Sequence, residues 1–194
     1  MAFIEPVTLT GRHVQLEPLA AGHHDALVNA ASDGELWKLW YTSVPSPQTM
    51  RSWMDTTLAM REQHELTFVL RDQRDASIVG STRYFRVDTV NRRLELGHTW
   101  CARRAQRTGI NTEAKLLLLG HAFEALNCIA VELRTHWMNH QSREAIARLG
   151  AKQDGVLRNH QRMADGTLRD TVVFSIIASE WPTVKRHLQY KLER

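Results

Sequence analysis

Several short stretches of the chain alternate hydrophobic and polar residues, which is the pattern of half-buried β-strands. The first is His13–Glu17, which follows the turn signal Thr10-Gly11 and ends at Pro18. The other strand-like stretches are residues 66–71, 78–87, 93–101, 129–135, 152–158 and 169–177. Stretches 66–71, 78–87 and 93–101 are separated only by turn-rich segments, which predicts a three-stranded antiparallel meander.

Helical spacing of apolar residues marks most of the remaining chain. It predicts helices over residues 23–31, 47–63, 141–149 and 180–192, with Ser179 as the N-cap of the last. The clearest helix has Glu113 near its start, where the helix dipole favours an anion. Its apolar face contains Ile110, Ala114, Leu117, Leu118, Ala122, Ala125 and Leu126. The order βααβββαβαββ, followed by a last helix, predicts an α+β fold with a mostly antiparallel, twisted central sheet flanked by helices.

Length and composition fit one globular domain. The chain has 194 residues, of which 43% are hydrophobic, so we expect a single domain over residues 1–194 with one core. No apolar run approaches the roughly 18 residues that a membrane span needs. Residues 1–9 lack the basic start and long apolar stretch of a signal peptide. We therefore expect a cytoplasmic protein that does not bind a membrane.

Cysteines, histidines and charge exclude some classes of site. Cys101 and Cys128 have no CxxC partner, so we expect them to be reduced rather than disulfide-bonded. The ten histidines show no metal-ligand spacing, and no metal site is predicted. A net charge of +4 favours an anionic partner: a nucleotide-like cofactor, an acidic protein or nucleic acid.

The candidate chemistry lies where strand 93–101 leads into the clearest helix. Backbone N–H groups at a helix N-terminus are free to bind an anion such as a pyrophosphate. Nearby Arg103, Arg104 and Arg107 add positive charge. An ordinary tight loop is equally compatible with these features alone. The residues predicted to contact such a ligand are Gln106, Arg107, Thr108, Gly109, Ile110, Asn111 and Thr112.

The segment Gln106-x-x-Gly109-x-Asn111 resembles the motif [QR]-x-x-G-x-[GA], with which acetyltransferases of the GNAT superfamily hold the pyrophosphate of CoA. Two residues depart from that motif: Asn111 replaces its last small residue, and Arg107 stands where many relatives have glycine, so this loop must accommodate side chains. Further segments are similar to the RimJ/RimL-type branch, which includes ribosomal-protein N-terminal acetyltransferases. They are Gly11-Arg12-His13-Val14-x-Leu16-Glu17-Pro18-Leu19, Asn111-Thr112-Glu113-Ala114-Lys115, His121-Ala122-Phe123-Glu124, Asn139-x-x-Ser142-Arg143 with Leu149-Gly150-Ala151, Gly155-Val156-Leu157-Arg158, Arg169-Asp170 and Glu180-Trp181-Pro182. The strand Leu94-Glu95-Leu96-Gly97-His98-Thr99-Trp100 resembles the GNAT superfamily more generally.

The resemblance implies the GNAT fold, acetyl-CoA as co-substrate and direct attack of a neutral amine on the thioester. It also implies a β-bulge in strand 93–101, with backbone near Leu96, Gly97 and His98 facing the thioester. Glu95 is the candidate general base. The alternative is a strand carboxylate that faces solvent or pairs with an arginine such as Arg83 or Arg93. His98 is a second candidate base, because an unperturbed histidine has a pKa of about 6.5.

Two further sets of residues carry predicted roles. The resemblance places Asn139 and Ser142 near the pantetheine arm of CoA, with Ser142 donating to the leaving thiolate. Alternatively, Asn139 is a helix N-cap and Ser142 belongs to the first turn. The acceptor pocket is expected in the region of Trp37, Trp40 and Tyr41, although aromatic clusters are more often core.

The expected acceptor is the α-amino group of a protein such as a ribosomal protein. An α-amine has a pKa near 8, against about 10.4 for lysine, so more of it is neutral at pH 7. Polyamine and aminoglycoside acceptors remain alternatives, although residues 37–45 offer few acidic side chains for a cation. A non-catalytic acyl-CoA-binding or ribosome-binding protein is a further alternative, and exposed aromatics leave a homodimer open.

We do not predict nucleic-acid binding, because basic residues of helix 180–192 fit a solvated amphipathic face. Those residues are Lys185, Arg186 and Lys191, with Arg194 just beyond.

Overall fold

The computed structural model describes residues 3–194, except the side chains of Glu62 and Gln63, and in that part of the chain eight strands form one sheet. The strand order is β1-β2-β3-β4-β5-β6-β8-β7. The strands are β1 (Leu9–Thr10), β2 (Val14–Pro18), β3 (Leu66–Asp72), β4 (Ile78–Asp88), β5 (Arg93–Cys101), β6 (Ala130–His136), β7 (Lys152–Arg162) and β8 (Leu168–Ile177). Among these described strands, β5 and β6 form the parallel pair and every other neighbouring pair is antiparallel. The predicted α+β fold, mostly antiparallel sheet and central meander are confirmed.

Five α-helices accompany the sheet in the described part of the chain: α1 (His24–Ser32), α2 (Met50–Ala59), α3 (Gly109–Gly120), α4 (His140–Ala147) and α5 (Trp181–Leu192). Single 3₁₀ turns flank α1 and α2, and a π-helical turn, His121–Ala125, extends α3. The predicted segment 47–63 therefore contains a shorter α-helix than expected. Its last four residues, Met60–Gln63, tighten into a 3₁₀ turn.

Helices α2 and α3 lie on opposite faces of the sheet. Successive side chains of a strand point to opposite faces. The hydroxyl of Tyr84 in β4 donates to the carbonyl of Leu118 in α3. The preceding residue, Arg83, donates from its guanidinium to the hydroxyl of Thr57 in α2 at 2.9 Å. The apolar stripe of α3 is buried as predicted at Ile110, Ala114, Leu118 and Ala122.

The N-cap predicted for the last helix is wrong. Helix α5 begins at Trp181, and the residue at its N-cap is Glu180 rather than Ser179. The Glu180 carboxylate accepts from the Ile177 backbone N–H at 3.3 Å and pairs with Lys152 at 2.5 Å. These interactions tie the start of α5 to β7 and β8. Ser179, one residue before Glu180, does not occupy the N-cap position.

A buried carboxylate connects α3 to the turn between β1 and β2. Glu113 accepts hydrogen bonds from the backbone N–H groups of Arg12, His13 and Val14 at 2.9, 2.6 and 2.9 Å. A Cβ atom on Gly11 would lie 2.4 Å from this carboxylate, so only glycine leaves room for it. The contact joins residues about one hundred positions apart and fixes the start of α3 against the sheet.

Candidate functional site

The sheet opens into a cleft between β5 and β6. Their parallel ladder ends at the pair Glu95–Glu132. Beyond it, β5 continues to pair with β4 as far as Cys101, whereas β6 continues to pair with β8 as far as His136. In the described part of the chain no ladder pair joins β5 and β6 after Glu95. The two strand edges therefore expose backbone polar groups to a ligand that enters between them.

A β-bulge interrupts β5 at this opening, as the resemblance implied. Gly97 pairs with Arg83, and the next pair is Trp100 with Ser81, so β5 contains one more residue than β4 between the two pairs. His98 has a φ of +49°, which is uncommon for a residue with a side chain. A bulge leaves the extra residue outside the ladder and redirects its neighbours. Backbone N–H groups of β5 are thereby available near the cleft.

Lys115 of α3 braces the bulge from the face of the sheet that α3 covers. Its ammonium is buried and donates to the hydroxyl of Thr99 at 2.7 Å and to that of Thr82 at 3.3 Å. The Thr82 hydroxyl in turn lies 3.4 Å from the carbonyl oxygen of Gly97. Burial lowers the pKa of Lys115 to about 8. Sequence reasoning missed this residue, although a lysine on the apolar side of a helix was a detectable signal.

Glu95 lies on the opposite face, at the last rung before the cleft. Its side chain is buried, and the carboxylate accepts from Arg86 at 3.0 Å and lies 3.4 Å from Arg134. Burial raises the pKa of Glu95 above its usual value of 4.5, while Arg86 and Arg134 counteract that rise. The alternative of a solvent-facing carboxylate is wrong. The predicted pairing with arginine holds, but not with Arg83 or Arg93.

Arg83 and Arg93 have carboxylate partners of their own. The guanidinium of Arg83 lies 3.2 Å from Glu65, and that of Arg93 bonds to Glu132. Both arginines were reasonable partners for Glu95, because Arg93 lies in the same strand, β5, and Arg83 lies in the adjacent strand, β4. The register of β4, β5 and β6 instead places Arg86 and Arg134 beside Glu95.

His98, the second candidate base, projects on the same face as Glu95. Its ring packs edge-on against Phe85, with 4.8 Å between the ring centroids. Part of the side chain is exposed. The surrounding protein atoms nevertheless lower its pKa to about 4, and the positive charges of Arg83, Arg86 and Arg169 add to this effect. His98 is therefore neutral at physiological pH.

The glycine-containing loop forms the start of α3. Thr108 is the N-cap, and its side chain accepts from the Ile110 N–H at 3.3 Å. The first-turn N–H groups of Gly109 and Asn111 have no acceptor within the helix. Arg107 adopts φ of +60°, so the loop accommodates its side chain by a left-handed backbone.

Other contacts hold this loop in place. The side chain of Gln106 donates to the Cys101 carbonyl at 3.0 Å, and the ring of His13 lies 3.1 Å from the position that a Cβ of Gly109 would take. The Asn111 side-chain oxygen is buried without a partner among the described residues. The free N–H groups and the exposed Arg107 side chain fit a pyrophosphate. The Asn111 oxygen is an acceptor, so it calls for a donor and does not itself bind a phosphate oxygen. Thr112 completes the first turn.

Asn139 and Ser142 form the helix cap that was the structural alternative for them. The Asn139 side-chain oxygen accepts from the Ser142 backbone N–H at 3.0 Å at the start of α4. Because α4 follows β6 directly, this cap lies beyond the end of the strand that forms one side of the cleft. The Asn139 amide N–H₂ and the Ser142 hydroxyl have no part in the cap bond.

The three aromatic candidates occupy different environments. Trp37 is partly buried against the hydrophobic core, whereas Trp40 is 55% exposed. Trp40 packs edge-on against Tyr41 and against His136, with centroid distances of 5.6 and 5.2 Å. His136 ends β6, so Trp40 contacts a strand that borders the cleft, and Tyr41 is connected to that strand through Trp40. Trp37 does not share this contact. Sequence reasoning did not select His136, which lacked a motif.

The chain matches the acetyltransferase (GNAT) domain family over residues 13–152, which is most of its length. It therefore belongs to the GNAT family of acetyltransferases, as its sequence predicted. Across residues 3–194, no helix has both the length and the apolar character needed to cross a membrane. The same described residues contain no group of three or more His, Cys, Asp or Glu side chains arranged to hold a metal ion.

Similar proteins include one curated sequence and several solved structures. YdaF of Bacillus subtilis, whose name assigns it provisionally as a ribosomal N-acetyltransferase, is 32% identical over 107 residues. That match spans 55% of this chain and 57% of YdaF. A GCN5-related N-acetyltransferase from Brucella melitensis is 29% identical, with a TM-score of 0.87 over 97% of this chain and 86% of its own. Mycobacterium smegmatis RimJ, solved in complex with CoA-disulfide, shares the fold at 23% identity, with a TM-score of 0.81 over 96% of this chain and 95% of its own.

Proposed function

We propose that the protein transfers an acetyl group from acetyl-CoA to the α-amino group of a protein N-terminus, such as that of a ribosomal protein. The observation that carries the proposal is the cleft itself. A helix N-terminus suited to pyrophosphate, a bulged strand edge and a buried carboxylate follow one another along β5 and α3. The resemblance to the RimJ/RimL-type branch and the match to YdaF support the choice of acceptor.

The loop residues 106–112 would hold the pyrophosphate, with first-turn N–H groups donating to its oxygens. The exposed edges of β5 and β6, near Leu96 and Gly97, would hold the pantetheine arm. The Asn139 amide would contact the same arm from beyond β6. Acetyl-CoA supplies an already activated thioester, so no covalent enzyme intermediate is needed. The chain has to bind and orient it, remove a proton from the amine and stabilise negative charge.

Glu95 would take the proton from the amine, directly or through a water, because its raised pKa brings a carboxylate closer to the range of a useful base. Backbone N–H groups released from the ladder by the bulge at His98 would stabilise the developing oxyanion. His98 is neutral and could accept the proton in place of Glu95. The Ser142 hydroxyl would donate to the departing thiolate. Trp40 and Tyr41 would line the acceptor pocket, and Trp37 would support them from the core.

The pH dependence of kcat distinguishes the two candidate bases. The pKa of Glu95 is raised from 4.5, so its ionised, active form is lost as pH falls through a midpoint above 4.5. The pKa of His98 is about 4, so this ring does not titrate between pH 5 and 8. We expect kcat, measured with saturating peptide, to decline on the acid side with a midpoint above 4.5. An unchanged acid limb in a Glu95→Gln variant would assign that limb to another group.

Substitution of the buried Lys115 should lower activity without lowering stability. Its folded pKa of about 8 lies below its usual 10.5, so folding disfavours its charged form. The resulting loss of stability grows as pH falls from about 10.5 to about 8 and is complete below about pH 8. Lys115→Met removes that charge, and we expect an unchanged or higher Tm at pH 7. Without the bonds to Thr82 and Thr99 the bulge loses its brace, and kcat should fall about 10-fold, as expected when a positioning contact is lost. Thermal unfolding and steady-state kinetics on one preparation test both parts. A lower Tm with normal kcat would contradict this role.

A further inference from the structure

The acceptor side of the cleft has a polar surface formed by alternate residues of β5, β6 and β8, which we call the polar face. Register pairs place Glu95 beside Glu132 and His136 beside Thr171. Their neighbours Leu94, Leu133 and Val172 are core residues. Arg134 and Arg169 belong to the same face, since each lies two positions from another member. The members are Glu95, Glu132, Arg134, His136, Arg169 and Thr171.

Arg169 differs from the other arginines near this face. Arg86, Arg93 and Arg134 all bond to Glu95 or Glu132. Arg169 is half-buried, and its Nε donates to the Thr171 hydroxyl at 3.0 Å. Among the described residues it takes part in no ion pair. A half-buried guanidinium that lacks a carboxylate has N–H groups available for an anionic ligand.

Arg169 is connected through hydrogen bonds and strand pairing to other residues of the polar face. The same Thr171 hydroxyl lies 3.0 Å from Nδ1 of His160. His136, the register partner of Thr171, packs against Trp40. Arg169 is therefore connected to Trp40 in three steps: it bonds to the Thr171 hydroxyl, Thr171 pairs with His136, and His136 packs against Trp40.

Three histidines report the positive potential at this end of the face. The pKa values of His98, His136 and His160 are all lowered, first by burial and then by arginine charge, to which Arg169 contributes in each case. At His136 the Asp170 carboxylate opposes part of this effect. A cationic acceptor such as a polyamine would meet the same repulsion as a histidinium ion. A carboxylate would be attracted.

We propose that the acceptor carries a carboxylate close to its reactive amine and that Arg169 binds this carboxylate. The inference rests on the proposed acetyltransferase function and narrows its substrate class. The carboxylate is either an acidic side chain next to the N-terminal residue of a peptide or the α-carboxylate of a free amino acid. Both present the same group to the guanidinium, and a bidentate contact with Arg would fix the amine relative to Glu95.

The test compares acceptors that differ in one group. Peptides with N-terminal Ala-Glu, Ala-Gln and Ala-Lys followed by one common sequence test the side-chain carboxylate. Free glutamine against glutamine amide tests the α-carboxylate. We expect kcat/KM of the wild-type protein to be at least about 10-fold higher for Ala-Glu than for Ala-Gln, as one charge-assisted contact provides. Ala-Lys should be poorer still. A preference confined to free amino acids would assign the carboxylate to the α-position.

Variants attribute the preference to Arg169. In Arg169→Gln the Ala-Glu to Ala-Gln ratio should fall to within about twofold of unity, and Arg169→Lys should retain part of it. Arg162→Gln, an exposed arginine of β7, is the matched control and should keep the wild-type ratio. Equal kcat/KM for Ala-Glu and Ala-Gln in the wild-type protein, together with equal kcat/KM for free glutamine and glutamine amide, overturns the inference while leaving the proposed function intact. Acetylation of polyamines but of none of these peptides or amino acids overturns both.

Discussion

Glu95→Gln should lower kcat by at least about 100-fold, the loss expected when a general base is removed. The substitution keeps the size of the side chain and one acceptor oxygen for Arg86, so the fold and the binding of acetyl-CoA should change little. The amide cannot take a proton from the attacking amine. The measurement is CoA thiol release under saturating acetyl-CoA and peptide, alongside acetyl-CoA binding by calorimetry.

Glu132 provides the matched control for this substitution. It is the register partner of Glu95 on β6, lies on the same face and is likewise bonded to arginine. Glu132→Gln should change kcat by less than about fivefold, because it loses only two partly exposed ion pairs, with Arg93 and Arg134. Equal losses in both variants would mean that the arginine network, not a proton acceptor at Glu95, accounts for the effect. A normal rate in Glu95→Gln combined with a large loss in His98→Ala would assign the base to His98.

Glu113→Ala should destabilise the protein by about 3–5 kcal/mol, because three backbone N–H groups lose a charged acceptor and two of them lie in partly buried surroundings. At about 2–4 °C per kcal/mol for a chain of this size, the Tm should fall by roughly 10 °C. Gly11→Val should have a comparable effect, since its side chain would overlap the Glu113 carboxylate. Thermal unfolding followed by circular dichroism measures both.

Glu144→Ala is the control for Glu113→Ala, since Glu144 is exposed on α4 and its removal should leave the Tm within about 2 °C, as for most surface substitutions. If Glu113→Ala unfolds at the wild-type temperature, the contact between the β1–β2 turn and α3 has no large role in stability. If acetyl-CoA binding also weakens in the destabilised variants, the contact additionally positions the first turn of α3.

The elements that sequence periodicity predicted were those long enough to show a period. Helix α3 and the strands of the meander have clear repeats, whereas β1, with two residues, has none. The cap of α5 was misassigned because a serine before a helix is a common N-cap, while the structure uses Glu180 to join α5 to β7 and β8. The bulge in β5 was anticipated only through the family resemblance, since no local pattern specifies it.

The parts of the site that sequence could not supply depend on pairing between distant segments. Arg169 and His136 come together because β8 is inserted beside β6, and their separation along the chain carries no signal of that register. The partners of Glu95 are likewise set by β4 and β6. Segment 37–45 contains no acidic residue, and this weighed against a cationic acceptor at the sequence level. In the structure, the positive charge near the cleft comes from arginines of β4, β6 and β8, namely Arg86, Arg134 and Arg169.

The most direct test of the central claim is thiol release from acetyl-CoA, followed with a thiol-reactive dye, for peptides with a free N-terminus and for the same peptides blocked by N-terminal formylation. The account predicts that release depends on the free α-amine and is lost in Glu95→Gln. The peptide mass should increase by about 42 Da, because one acetyl group replaces one hydrogen. Acetyl-CoA binding without release for any peptide, polyamine or aminoglycoside would contradict it and favour an acyl-CoA-binding protein without transferase activity.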